Sequence, residues 1–263
     1  MRQKGLGKTG VKISEIGQGT WQYQGGVEPL RLGVSLGATH IDTAEMYGTE
    51  GVVGRAIEGI RDQVFLATKV WSDHLQYDAV LKAAEGSLKR LGAKTIDLYM
   101  IHWPNPSVPI RETMRAMEEL VKRGKIRYIG VSNFSVGQLK EAQAALSSQE
   151  IVSNQVKYNL QSRDIEDGLI PYCESEQITV VAYSPLTRGS VAERKDKLLD
   201  EIALKYNNKT KAQVALNFLT SKENVVAIPK ASSMEHVREN CEASGWRLSD
   251  EDIARISEHF HRR

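Results

Sequence analysis

At 263 residues and 29.3 kDa the chain can hold one barrel-sized domain or two small ones, and 41% hydrophobic with 26% charged residues is an ordinary globular composition. A net charge of +2 gives no general pull toward nucleic acid or membrane surfaces, so small-molecule partners are expected. The opening "MRQKGLGKTG" lacks an apolar leader core, and no run approaches the roughly 18 apolar residues of a spanning helix, which points to a cytoplasmic protein. Cys173 and Cys241 are too few for a disulfide framework and lack metal-ligand spacing; they are expected to be reduced, buried and structural. The clusters "ERKDK" (193–197) and the terminal "HRR" read as solvated surface.

Residues 2–13 predict a hairpin turned at "KTG". Eight runs rich in β-branched or aromatic residues follow: "ISEIGQG", "THIDT", "VFLATKV", "IDLYMIHW", "IRYIGVS", "IVSNQVKYN", "ITVVAYS" and "VVAIPK". Amphipathic stretches separate most of them. Val80, Ala83, Ala84, Leu88 and Leu91 share one helical face, as do Ile110, Met114, Met117 and Val121, whose helix Gly124 stops. Strands alternating with helices require parallel pairing with right-handed crossovers, and eight such units predict a closed (β/α)₈ TIM barrel of class α/β. Two helical patterns, near Leu198–Tyr206 and Ala212–Leu219, lie between the last two strands, so one is additional. The tail 249–260, opened by the capping candidate "SDED", predicts a further helix outside the barrel. No linker or composition break divides the sequence, so residues 1–263 are expected to form a single domain.

In such a barrel, chemistry sits at the carboxyl ends of the strands. Asp42, Lys69, His102, Asn133, Gln155, Tyr183 and Lys230 each interrupt a strand run near that end. Singly, each has a plain structural explanation as a cap, a core histidine or a solvated lysine; around one mouth they make a site. Tyr47 follows Asp42 by five residues. Its phenol, with an ordinary pKa of about 10, gives up a proton reluctantly near neutrality. A nearby Lys69 ammonium, held charged by Asp42, would pull that pKa down. His102 can hydrogen-bond a carbonyl oxygen, and Trp21 and Trp103 supply apolar walls. This suits protonation of a carbonyl oxygen as hydride arrives at its carbon.

With these residues in place, the sequence resembles the aldo-keto reductases over nearly its whole length. The resemblance is carried by "GTW" (19–21), "LGATHIDTAEMYGTEGVVGRAI" (36–57), "ATKVW" (67–71), "IDLYMIHWP" (96–104), "GKIRYIGVSNF" (124–134), "NQVKYN" (154–159), "VAYSPL" (181–186) and "IPKASS" (228–233). It implies a catalytic group of Asp42, Tyr47, Lys69 and His102, with Tyr47 as general acid and hydride from a nicotinamide cofactor. It further implies that the carboxamide meets Ser132, Asn133 and Gln155, that the nicotinamide ring stacks on Tyr183, and that the ribose lies near Thr20. The pyrophosphate would follow the backbone from Ser184 to Leu186, with the adenosine end against Lys230, Ser232, Ser233, Glu239 and Asn240. No metal is implied, and monomeric relatives make a monomer the expected state.

Two glycine motifs point elsewhere and fail. "GLGKTG" lacks the earlier glycine of a phosphate loop and no apolar strand precedes it; "GQGTW" lacks the third glycine of a dinucleotide fingerprint. One departure from the family matters. The family grips the 2′-phosphate of NADP(H) with a lysine, a hydroxyl residue and an arginine, whereas here Lys230 is followed by Ala231 and the arginine position aligns with His236, with Arg238 two residues on. The expected cofactor is therefore NADP(H) with weakened preference and measurable use of NAD(H). The segment "TRGSVAERKDK" is short and the chain ends soon after Phe260, which predicts a shallow, open pocket accepting many small aldehydes. Two other readings stay open: a Schiff-base lyase using Lys69, and a non-catalytic cofactor-binding regulatory subunit.

Overall fold

The computed structural model describes residues 1–261; Arg262 and Arg263, the end of the basic "HRR" stretch, lie outside the described residues. Strands β1 (Gln3–Gly5) and β2 (Lys12–Ser14) form an antiparallel hairpin. Eight parallel strands follow in chain order: β3 (Gln18–Gly19), β4 (His40–Asp42), β5 (Phe65–Val70), β6 (Ile96–Ile101), β7 (Ile126–Ser132), β8 (Ile151–Lys157), β9 (Thr179–Tyr183) and β10 (Val225–Ala227). Each pairs with the next, and the sheet curls until its ends meet: Ile16 bridges Ala227, and Gly17 N–H donates to Ala227 O at 2.8 Å. The run "ISEIGQG" is therefore not one strand. Ile13 and Ser14 belong to the hairpin, and only Gln18 and Gly19 remain for the barrel, because the chain must cross from the floor to the wall between them.

Helices α1 (Glu28–Ser35), α2 (Glu50–Ile57), α3 (Tyr77–Leu91), α4 (Ile110–Lys122), α5 (Val136–Ala144) and α6 (Leu169–Ser175) fill the crossovers. Between β9 and β10 stand α7 (Ser190–Glu193), α8 (Lys197–Lys205) and α9 (Lys211–Thr220), and α10 (Met234–Cys241) and α11 (Asp250–His261) end the described chain. The predicted apolar stripe of α3 is buried, and Gly92 stops it in the left-handed conformation. On α4, Met114 and Met117 are buried while Ile110 and Val121 are only partly so. Cys173 is buried, but Cys241, at the end of α10, is only half-buried, against the expectation for both.

Side chains of a strand alternate between faces, and this alternation places the site. Phe65, Ala67 and Lys69 point one way from β5, and Leu98, Met100 and His102 do the same along β6. Val181 with Tyr183, and Val226 with Ile228, continue the pattern. The apolar members form an inner cluster with Leu6 and Ile13 of the hairpin, which plugs the floor of the barrel. The intervening residues, among them Ile41, Leu66, Tyr99, Ile101, Val131 and Ala182, pack outward against the helices. The interior has no room to spare at Gly130, where a Cβ would stand 2.6 Å from Ser153 Oγ. The inward faces of β5, β6 and β9 are thus apolar below and end in a polar residue, Lys69, His102 and Tyr183.

Candidate active site

Asp42 ends β4, Lys69 lies one residue from the end of β5, and His102 follows β6 directly. Lys69 Nζ donates to Asp42 Oδ1 at 2.6 Å and to Thr43 O at 2.8 Å, and both side chains are almost fully buried. Tyr47 closes a 3₁₀ turn, Glu45–Tyr47, that Gly48 (φ 70°) ends. Its ring centroid lies 5.0 Å from Lys69 Nζ, and its hydroxyl is 3.3 Å from His102 Nε2. The rings of Tyr47 and Trp71 both meet the His102 ring edge-on, at centroid distances of 5.3 and 5.2 Å.

Burial pushes the Tyr47 phenol above its ordinary range; Lys69, by charge and hydrogen bond, pulls it down, and Asp42 pushes it up again. The sign expected for Lys69 holds, but desolvation outweighs it, so the net direction is upward rather than downward. Tyr47 is consequently a phenol, able to donate, across the neutral range. Burial opposes the charge on Lys69, yet Asp42 and Tyr47 together raise its pKa and keep it an ammonium. His102 is driven down to about 3 by burial and by the Lys69 charge, so it is a neutral imidazole.

These groups open into a cleft of about 710 Å³. Thr20, Trp21, Asp42, Tyr47, His102, Trp103, Ser132, Asn133, Gln155, Tyr183, Ser184, Leu186, Lys230, His236, Glu239 and Asn240 all line it. Lys69 stands behind Asp42, outside the cleft wall. Ser132 Oγ donates to Gln155 O, Asn133 Nδ2 donates to His102 O at 3.1 Å, and Tyr183 OH donates to Asn133 Oδ1 at 3.0 Å. Asn133 reaches this position with φ 63°, a left-handed backbone that asparagine tolerates. Thr20 Oγ1 is committed to Asp42 O at 2.9 Å and Thr49 Oγ1 at 3.0 Å, so it braces the wall.

Three expected contacts fall outside the cleft lining. Ser233 Oγ accepts from His236 N–H at 3.2 Å and caps α10, Ser232 Oγ accepts from Gln24 N–H at 3.3 Å, and Arg238 is exposed. The helical turn that carries His236 into the cleft carries Arg238 away from it. The segment after β9 is also less bare than expected, since it folds into a 3₁₀ turn and α7, and Arg188, Gly189, Ala192 and Glu193 wall the cleft. Arg188 covers the Trp21 ring at 5.0 Å. Among further lining residues, Trp71 was legible as a large aromatic directly after a strand end, while Arg188 and Glu193 carry no periodic signal.

The donor set suits a nicotinamide dinucleotide. Amides and a hydroxyl gather beside the half-buried Tyr183 ring, and Lys230 and His236 line the same cleft. Among the described residues no three His, Cys, Asp or Glu side chains gather as metal ligands would. No helix among them is long and apolar enough to cross a membrane.

Residues 15–260 match the model of the aldo/keto reductase family. Methylglyoxal reductase YeaE of Escherichia coli is 39% identical, over 99% of this chain and 96% of that protein. The crystal structure of a thermostable aldo-keto reductase with the inhibitor epalrestat superposes with a TM-score of 0.92 at 45% identity, covering 98% of this chain and 99% of that one. An aldo/keto reductase from Klebsiella pneumoniae, solved with NADP and acetate, gives 0.91 at 37% identity, covering 99% and 96%. Barrel, polar strand ends and relatives agree: the chain belongs to the aldo-keto reductase family and is an NAD(P)-dependent oxidoreductase.

Proposed function

We propose that this enzyme reduces small aldehydes, 2-oxoaldehydes such as methylglyoxal among them, with Tyr47 as the proton donor and NADPH as the preferred reductant. The observation that carries this reading is the buried Lys69–Asp42 pair behind Tyr47, with neutral His102 3.3 Å from the phenol oxygen. Ser132, Asn133, Gln155 and Tyr183 would hold the nicotinamide, and Lys230 and His236 the adenosine end. When bound, the cofactor supplies hydride to the carbonyl carbon. Tyr47 gives its proton to the carbonyl oxygen as negative charge develops there. His102, uncharged, orients that oxygen by hydrogen bond, and the Lys69 ammonium stabilises the phenolate left behind. Solvent protons restore Tyr47 afterwards.

Trp21, Trp71, Trp103 and Met46 give the substrate end apolar walls open to solvent, which favours breadth among small aldehydes over one bulky ketone. The Schiff-base reading loses ground here, because Lys69 is fully buried, donates to Asp42 and Thr43, and stays charged. The test is the initial rate of NADPH and NADH oxidation with methylglyoxal and with an activated aromatic aldehyde, for the wild type and Tyr47→Phe. Reduction that vanishes in Tyr47→Phe with cofactor binding retained supports the reading. Unchanged reduction in that variant removes Tyr47 as the acid, and a wild type that binds cofactor without oxidising it moves the chain to a regulatory role.

A further inference from the structure

Tyr47 sits on a 3₁₀ turn of only three residues, bounded by extended Ala44 and by Gly48 in the left-handed conformation. A turn so short has little internal stiffness; the backbone bond from Tyr47 N–H to Ala44 O, 3.0 Å, is local. Its first residue, Glu45, reaches across to the loop after β5. There Glu45 Oε1 accepts the Trp71 backbone N–H at 2.5 Å and meets His74 Nδ1 at 3.0 Å. The Glu45 side chain is only 11% exposed. Trp71, held at its backbone by this bond, lays its indole edge-on against the His102 ring, whose other edge-on neighbour is Tyr47.

Glu45 therefore closes a loop of contacts: Tyr47 to His102, His102 to Trp71, Trp71 to Glu45, and back through two residues of backbone to Tyr47. We propose that Glu45 is a positioning residue, which sets the Tyr47–His102 spacing by clamping the turn that carries the acid to the loop that backs the imidazole. The proposal rests on the reductase reading and adds a residue to it. The Trp71 N–H needs only an acceptor of the right length, so a glutamine serves fully, the shorter aspartate only in part and an alanine not at all. His74 is more than half exposed and its contact with Glu45 is expendable.

The experiment compares Glu45→Ala, Glu45→Asp, Glu45→Gln and His74→Ala with the wild type, measuring kcat and KM for an aldehyde, the Kd for NADPH by fluorescence quenching, thermal unfolding, and the isotope effect on kcat with deuterated cofactor. A misplaced proton donor slows chemistry, and Glu45→Ala is expected to lose about 10- to 100-fold in kcat. Its NADPH Kd should stay near that of the wild type while the isotope effect on kcat rises. Glu45→Asp should fall between, and Glu45→Gln and His74→Ala should stay within a few-fold of wild type. Wild-type kcat in Glu45→Ala overturns the proposal. So does a loss that Glu45→Gln fails to rescue, or one with an unchanged isotope effect, since either makes Glu45 a merely structural residue. Inactivity of the wild type itself would instead be a failure of the reductase reading.

Discussion

Gln155 donates its side-chain amide to Asp42 Oδ2 at 2.7 Å, while Asp42 Oδ1 receives Lys69 at 2.6 Å. The carboxylate that keeps Lys69 charged is thus shared with a residue that lines the cleft and is proposed to hold the nicotinamide. Replacing Gln155 by leucine leaves one buried carboxylate oxygen without a donor, at a cost of about 1–3 kcal/mol in stability. The same change frees Asp42 to rotate away from Lys69. Gln155→Leu is expected to lower kcat about tenfold as well as raise the cofactor KM, as steady-state rates and urea unfolding would measure. A change confined to cofactor KM would mean that the Asp42 contact does not reach the chemistry.

Two buried imidazoles set different acid limits. His40 packs edge-on against Phe65, has no partner for either ring nitrogen among the described residues, and is driven down to about 4 by burial. Its folded pKa lies below the unfolded value of 6.5, so the unfolded chain binds more protons between pH 6.5 and 4. Stability is fully present above pH 6.5 and declines as the pH falls through that window, by about 3 kcal/mol for this group. His40→Leu should reduce, without abolishing, the dependence of unfolding free energy on pH across it, because His102, also lowered from 6.5, contributes with the same sign. His102, at about 3, is already neutral throughout. The rate of reduction should accordingly show no step near pH 6.5, and a step that disappears in His102→Asn would contradict the neutral assignment.

On the floor of the barrel Lys4 Nζ donates to three backbone carbonyls, those of Thr220, Lys222 and Val225, at 2.6, 2.6 and 2.7 Å. Thr220 ends α9, so the ammonium both satisfies orphan carbonyls and faces the negative end of a helix. Lys4→Met fills the space and removes every donor. Stability should fall by roughly 2–4 kcal/mol in urea unfolding, with kcat unchanged because the hairpin lies at the end of the barrel opposite the cleft.

The period-two pattern of β5, β6 and β9 made the inward face readable, and with it the polar residue that ends each one. β3 was not readable in this way: its two residues are too few to alternate, and the preceding Ile13 belongs to another sheet. α10 buries only Val237 and Asn240, so it lacks the stripe that announced α3 and α4. Helical phase in that hidden helix brings His236 to the cleft lining and leaves Arg238 out of it, while Ser233 precedes the helix and caps it. The upward shift of Tyr47 was equally out of reach, since desolvation depends on how completely the surrounding side chains exclude water.

His236 is where that helical phase becomes measurable. It lines the cleft, as Lys230 does, while the exposed Arg238 is not part of that lining. An imidazole offers a phosphate no fork of donors, whereas a guanidinium at the same place does. If the 2′-phosphate lies here, His236→Arg should tighten NADPH by about 1.5–3 kcal/mol, roughly 10- to 100-fold in KM, and leave NADH nearly unchanged. Arg238→Ala should alter neither cofactor, because its side chain faces away. Parallel titrations of NADPH and NADH for both variants decide the matter. A strong loss of NADPH affinity in Arg238→Ala would mean that α10 turns or shifts on binding, and that Arg238 rather than His236 is the phosphate ligand.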